Sequence, residues 1–248
     1  TEEFGYGFKQ YVKEKGCRAS HVNHCMTWLN RLLYIAVDKG LLRFNPTADV
    51  PYEKKDAPQL RHISRSQLMY IMEHPMTNKW QELVRRTFIF SAFTALSYVD
   101  VQELYPRHIG KTADGRRYIR ILRKKTGVES FIPLHPVAEQ ILDLYNTEDD
   151  TKPVFPMPNR DMIWYAIHEI GVLAGVKGSL SYHQSRHTFG TLLMSAGIPI
   201  ESISKMMGHT NIRTTQTYAR VTDDKISEDM DRLMQVRKAN GLTKNNDR

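Results

Sequence analysis

Pro46, Pro51 and Pro58 fall within one short stretch, and neither a helix nor a central strand can be carried through it. Each proline fixes φ and removes a backbone donor. Lys54, Lys55 and Asp56 add charge to the same stretch. This is linker composition. It divides the chain into a segment over 1–50, a linker over 51–62 and a larger part over 63–248.

The first segment reads as helices. Ser20 can serve as an N-cap, and Val22, Met26, Trp28, Leu29, Leu32, Leu33, Ile35 and Ala36 recur at helical spacing until Gly40. A weaker helical stretch precedes it over Phe4–Lys15. In the larger part, Ser64 or Ser66 can cap a short helix over Gln67–Glu73. Trp80–Ala95 is a strongly apolar helix with Val84, Phe88, Ile89, Phe93 and Leu96 as its stripe, and Tyr98–Leu104 forms a short successor. Tyr118–Arg123 and Glu129–Pro133 alternate as strands around the hairpin signal Lys125-Thr126-Gly127. After Pro136 the pattern is helical to the end. Gly197 and Gly208 suit positions just past helix ends, Pro199 a first helical turn, and Asn211 and Thr222 caps. The fold class is therefore mainly α with a small antiparallel sheet. Trp28, Trp80 and Trp164 sit in apolar stripes and are expected in the core. The final helix, Thr222–Gln235, carries an apolar stripe, and a polar tail over Thr243–Arg248 follows it.

Thirty-five Lys and Arg against 27 Asp and Glu leave a net charge of +8, which favours a polyanionic partner. Residues 1–62 hold 10 basic against 7 acidic side chains. Between Lys111 and Lys125 there are seven basic residues and a single acid, Asp114. No apolar run reaches the ~18 residues of a membrane span, and no signal peptide is present. Cys17 and Cys25 are too few for a disulfide framework, consistent with a reducing compartment and a cytoplasmic location. The chain opens on Thr1, as expected of a piece of a longer protein.

The stretch Tyr182-His183-Gln184-Ser185-Arg186-His187-Thr188-Phe189-Gly190 concentrates the chemistry. His183, Arg186 and His187 are three and four residues apart, so all can face one side of a helix. A metallopeptidase helix has the same histidine spacing but needs glutamate where Gln184 stands. Histidines packed in or near a core are a second reading. An anion site is the third, with imidazole for proton transfer and a planar guanidinium for phosphate.

Further along come Met207-Gly208-His209-Thr210 and Thr214-Thr215-x-x-Tyr218. With His183-x-x-Arg186-His187-Thr188-Phe189 and Leu192-Leu193-x-x-Ala196-Gly197, these boxes resemble the tyrosine recombinases of the phage-integrase family. Arg123-Lys124-Lys125-Thr126 is similar to the family's hairpin lysine, and Gly40–Pro46 to the end of its core-binding domain. The resemblance implies a two-domain clamp on duplex DNA: a partial helical, SAM-like core-binding domain over 1–50 and a catalytic domain over 63–248. It implies DNA strand cleavage and rejoining through a 3′-phosphotyrosyl bond, in bacterial cytoplasm at the nucleoid. Tyr218 would be the nucleophile, His183 a general acid/base, and Arg186 and His209 the phosphate holders. Lys125 would be the acid for the 5′-oxygen, with Lys124 its rival. Arg123, Lys124, Arg116 and Arg117 would contact DNA. No metal or cofactor is implied. The implied assembly is a monomer in solution and a homotetramer on paired sites, served by an excisionase or a host DNA-bending protein. A type IB topoisomerase and a catalytically silent DNA-binding module are the alternatives.

One departure stands out. The family's T-G-L-R pattern after the apolar helix is here Thr94-Ala95-Leu96-Ser97, so Ser97 occupies the arginine's place. Some integrases of conjugative transposons resemble this variant, with serine at the same place. The expected substitute is Arg85, with Arg86 and Arg123 as alternatives; Arg123 shares strand parity with Lys125. His187 is expected to pack or hydrogen-bond within its helix.

Overall fold

The computed structural model describes residues 1–54 and 61–218. Chain contacts divide it into two units, 1–59 and 60–248. The expected final helix over 222–235 and the polar tail lie outside the described residues.

In the first unit, α1 (Glu2–Glu14) and α2 (Ala19–Asp38) form a helical hairpin that turns at Gly16, φ 74°. Val12, Val22 and Met26 are its buried stripe. The chain after α2 folds back over both helices. Thr47 and Val50 are buried, and a side chain on Gly5 would meet Thr47 at 2.7 Å. Asn23 receives the Glu53 amide at 2.7 Å and donates to the Glu53 carbonyl at 2.8 Å, while Lys9 reaches the Pro51 carbonyl. Pro51–Glu53, read as the start of a linker, is thus held against the helices. Trp28, expected in the core, is 51% exposed. The two helices bury the Val22–Met26 side, and among the described residues Trp28, Leu32 and Ile35 of the periodic stripe stay exposed.

The second unit is built on α4 (Lys79–Thr94), which is buried on nearly every side. Its second half, Thr87–Thr94, carries only apolar and small side chains, and in its first half Glu82 and Arg85 satisfy each other, so it can lie inside the domain. It packs against α3 (Arg65–Glu73), α6 (Pro136–Leu142), α7 (Arg160–Leu173) and α8 (His183–Ser195). Ser64 and Gln67 close a capping box at the start of α3, and Asn78 caps α4. Phe88, Phe90, Leu96, Leu104, Leu142, Phe155 and Ile167 are fully enclosed. After α5 (Tyr98–Gln102) and a single 3-10 turn comes a sheet of order β1 (Ile109–Lys111), β2 (Arg117–Leu122) and β3 (Glu129–Pro133), antiparallel throughout. Ile119, Ile121 and Ile132 form its buried face, in keeping with period-two alternation. Trp164 is 63% exposed on the outer face of α7, and Trp80 only half-buried, so neither is a core residue in the sense expected.

A second, smaller apolar cluster joins Ala95, Phe189, Ile203, Met207 and Tyr218. It ties the end of α4 to α8, α9 (Ile200–Met207) and the short α10 (Arg213–Gln216). This cluster places the site. No helix among the described residues is long and apolar enough to cross a membrane.

Candidate active site

The site forms where three chain ends meet α8. The first is the end of α4. Ala95 there has φ 57°, the left-handed region that L-residues enter at a cost of about 1–2 kcal/mol. The turn aims its carbonyl at two guanidinium groups. Arg186 Nη1 donates to it at 2.6 Å and Arg123 Nη1 at 3.1 Å. The second is the end of α9, whose Met207 carbonyl accepts from Arg186 Nη2 at 2.5 Å and whose Met206 carbonyl accepts from Arg123 Nη2 at 3.0 Å. The third is the β2–β3 turn, which carries Arg123 inward. Its Nε donates to Ser130 Oγ, and its Nη1 pairs with Asp100 at 3.1 Å.

Gly208 makes room for this. It ends α9 in the left-handed conformation, φ 65°, and a Cβ there would lie 2.6 Å from Arg123 Cγ. Ser97, expected at an arginine's place, has a part of its own. It caps α5 and donates its hydroxyl to Asp100 Oδ2 at 2.7 Å, so it orients the carboxylate that receives Arg123.

Two buried cations therefore share the Ala95 carbonyl, and only one of them, Arg123, has a carboxylate partner. Burial, then Arg186, pushes Arg123 down to about 10, while Asp100 opposes the shift. Burial likewise lowers Arg186, partly offset by Tyr218 and Asp100. Both remain charged at neutral pH. Burial on its own would raise Asp100, but Ser97, Arg123 and the Lys124 and Ser97 amides outweigh it and hold the carboxyl below its ordinary range. A guanidinium has five N–H donors. Arg186 keeps its Nε and one hydrogen on each Nη uncommitted among the described residues, and Arg123 keeps one on Nη2. An excess buried cation with spare donors suits an oxyanion.

Tyr218 closes the site. It is 8% exposed, its ring lies parallel to that of His209 with centroids 6.5 Å apart, and its hydroxyl is 2.9 Å from His187 Nδ1. Burial raises its pKa, with Arg186 pulling the other way. His209 Nδ1 is held by Thr215 Oγ1 at 2.7 Å. Burial, then Arg186, Arg123 and the neighbouring imidazoles, push His209 down to about 4. His187 is also pushed down to about 4, by burial, His183, Arg186 and His62 in turn. His183 stands at the exposed front of the cluster, edge-on to His187 at 4.6 Å. Partial burial, then Arg186 and Lys125, lower its pKa. Lys125 is exposed at the hairpin tip, and Thr126 Oγ1 fastens that turn to the Gly208 carbonyl.

Depressed imidazoles make stability fall with acid. Between pH 6.5 and about 4 the unfolded chain takes up protons that folded His187 and His209 do not, so stability drops as pH falls through that window. We expect a loss on the order of 1 kcal/mol per ring by pH 5, after discounting for partial exposure. Urea midpoints at pH 7 and pH 5 measure it, and His209→Asn should flatten the trend. A midpoint that rises on acidification contradicts neutral imidazoles in the folded chain.

Tyr218, Arg186, His183 and His209 are thus brought together, with Lys125 at the edge. Arg85 is not among them, which corrects the expectation that it substitutes for the missing arginine. It is 7% exposed inside the α3–α4 packing, where its guanidinium binds both oxygens of Glu82 and the Ile71 and Met72 carbonyls. Glu82, three residues away, consumes its charge. Arg86 pairs with the same carboxylate. Arg123, read chiefly as a DNA contact, is the second guanidinium of the cluster. Its parity with the buried Ile119 and Ile121 is the signal that points inward. Lys124 turns away to Glu103 at 2.8 Å, leaving Lys125 as the hairpin lysine whose charge is felt at His183. Arg116 and Arg117 lie at the far end of β2, paired with Asp114 and Asp143. His187, expected to satisfy itself within its helix, instead reaches the Tyr218 hydroxyl. That contact requires α10 to dock on α8, which helical spacing does not encode.

The family model described as phage integrase family matches residues 101–225, half of the chain. The chain belongs to the phage integrase family. Among curated relatives, tyrosine recombinase XerA of Pyrococcus furiosus is 29% identical over 125 residues. That match covers 46% of this chain and 43% of XerA, so the chain aligns with less than half of that relative's length. Tyrosine recombinase XerC of Haemophilus influenzae is 22% identical over 226 residues, 87% of this chain and 75% of XerC. Among solved structures, the Tn1549 transposon integrase in complex with a circular intermediate DNA superposes with TM-score 0.68 at 20% identity, over 94% of this chain and 85% of that one. A lambda integrase dimer bound to a core site superposes with TM-score 0.69 at 16% identity, over 90% and 82%. The chain therefore has the fold of those proteins, mostly helical with a three-stranded antiparallel sheet.

Proposed function

We propose that this phage-integrase-family member is a site-specific tyrosine recombinase that cuts and rejoins duplex DNA for a mobile genetic element. The carrying observation is the pair of buried guanidinium groups, Arg123 and Arg186, on the Ala95 carbonyl with Asp100 paired to Arg123 alone, while the charge of Arg186 is felt at Tyr218. A scissile phosphodiester supplies the anion that this excess cation lacks. Tyr218 Oη attacks the phosphorus, a 3′-phosphotyrosyl bond forms, and the P–O5′ bond breaks. Arg186 offers two or three hydrogen bonds to the non-bridging oxygens, and Arg123 offers one. Donors preorganised around the charge that develops on the phosphorane are worth roughly 10²–10³-fold each in rate. His209, its ring fixed through Nδ1, presents Nε2 as a further donor when the proton sits there. His183 and Lys125 stand at the open side, where the departing 5′-oxygen needs a proton. Attack of a free 5′-hydroxyl on the phosphotyrosyl bond reverses these steps and reseals the strand.

The same reading gives duplex DNA as the partner, a monomer in solution and a homotetramer on paired sites. The test uses a duplex selected for binding from a random-sequence library and nicked so that the cleaved end diffuses away. A denaturation-resistant protein–DNA adduct is expected, together with strand exchange between two such duplexes. Supercoil relaxation without recombinant product indicates a topoisomerase instead, and binding without any adduct indicates a silent module.

A further inference from the structure

We propose that His187 is a catalytic residue of this reaction, the group that receives the Tyr218 proton as the Oη–P bond forms. The inference rests on the recombinase reading above and deepens it. His187 Nδ1 lies 2.9 Å from Tyr218 Oη, inside the range over which a general base takes a proton. Among the described residues no other side chain is hydrogen-bonded to that oxygen. His209 has its Nδ1 on Thr215, and its ring is parallel to the tyrosine ring rather than aimed at the hydroxyl. His183 meets the ring of His187, not the tyrosine oxygen. The guanidiniums of Arg123 and Arg186 can only donate.

The contact is built, not incidental. Gly190 lies one helical turn beyond His187 on α8, and a Cβ there would come within 2.9 Å of the Tyr218 ring. The missing side chain leaves the space in which the ring lies flat on the helix, with its hydroxyl directed at His187. Burial and surrounding positive charge keep His187 unprotonated at neutral pH, so the base is in its free form when DNA arrives. They also make the protonated ring a transient species, stabilised while the phosphate's charge is in the site and ready to give the proton back.

The step balances. The Oη–H bond breaks, its proton goes to Nδ1, the Oη–P bond forms, the P–O5′ bond breaks, and Lys125 protonates the leaving oxygen. On resealing, the 5′-hydroxyl returns its proton to Lys125 and His187 returns its own to Tyr218.

His187→Asn tests this, since asparagine keeps an acceptor near the Nδ1 position but has no basicity. The probe is the selected, nicked duplex in two forms, with oxygen or with bridging sulfur at the scissile 5′ position; sulfur leaves without needing a proton. His187→Asn should bind DNA as the wild type does and form adduct ~10²–10³-fold more slowly on both substrates. Lys125→Ala should be slow on oxygen and restored by sulfur. Cleavage by His187→Asn within about threefold of wild type, or its restoration by sulfur, overturns the proposal. A second measurement needs no change at His187: the nitrogen-15 resonance of its Nδ1 should shift in Tyr218→Phe, and an unmoved resonance also overturns it. If the wild-type chain forms no adduct at all, the recombinase reading fails instead.

Discussion

Tyr218→Phe should bind the selected duplex with wild-type affinity and form no covalent adduct, a loss of roughly 10⁴-fold or more. The expectation follows from how little else the hydroxyl does. The tyrosine ring is held by Gly190 on one side and faces His209 at 6.5 Å on the other, and phenylalanine fills the same space. The oxygen's single protein partner among the described residues is His187. Losing that bond costs about 0.5–1.5 kcal/mol, too little to unfold a domain with a core of this size. Tyr182 provides the contrast. Its hydroxyl is also buried, but it lies between Ser91 and the Thr87 carbonyl in the core, and burial pushes its pKa far up. Tyr182→Phe should cost stability and leave chemistry intact. Denaturing gel electrophoresis after incubation with nicked duplex reads both variants. Retention of the adduct by Tyr218→Phe removes Tyr218 as nucleophile.

The elements that depend on local chemistry were legible in the sequence. Gly208 had to end a helix because nothing else adopts its backbone so cheaply, and Ser64, one of two candidate caps with Ser66, starts α3. Strand alternation around Lys125-Thr126-Gly127 gave the β2–β3 hairpin, and the ordered boxes gave the α8, α9 and α10 side chains of the site. What failed depended on who the neighbour is. Arg85 was read as available, although Glu82 stood one helical turn before it, the spacing at which opposite charges pair. Trp28 and Trp164 continue apolar stripes, but a stripe does not say whether a second surface covers it. His187 lies on the face shared with His183, and only the docking of α10 shows that a tyrosine oxygen waits there. Arg123 needed the parity of its strand to be taken with the glycine at 208, which clears its path.

The reassignment from Arg85 to Arg123 is open to a separation of stability from chemistry. Arg123→Met alone removes one partner of a buried pair and leaves Asp100 without its ion-pair partner, which costs about 3–5 kcal/mol. A drop in cleavage by that variant could come from unfolding. Pairing it with Asp100→Asn removes both charges; the amide oxygen keeps an acceptor for the Lys124 amide, and the new NH2 can donate to the Ser97 hydroxyl that now faces it. Replacing a buried ion pair by neutral groups is close to neutral in energy, so most of the lost stability should return. Cleavage should not return, because one of the two guanidiniums facing the phosphate is gone; a deficit of ~10²–10³-fold is expected. Arg85→Ala should show the reverse pattern. Glu82 keeps Arg86 and the Met76 amide as partners, so stability falls by roughly 1–3 kcal/mol while the folded fraction cleaves at the wild-type rate. Urea denaturation gives the first quantity and single-turnover adduct formation at saturating protein the second. If the double variant at 100 and 123 cleaves as fast as wild type, Arg123 is a structural strut and Arg186 carries the phosphate alone.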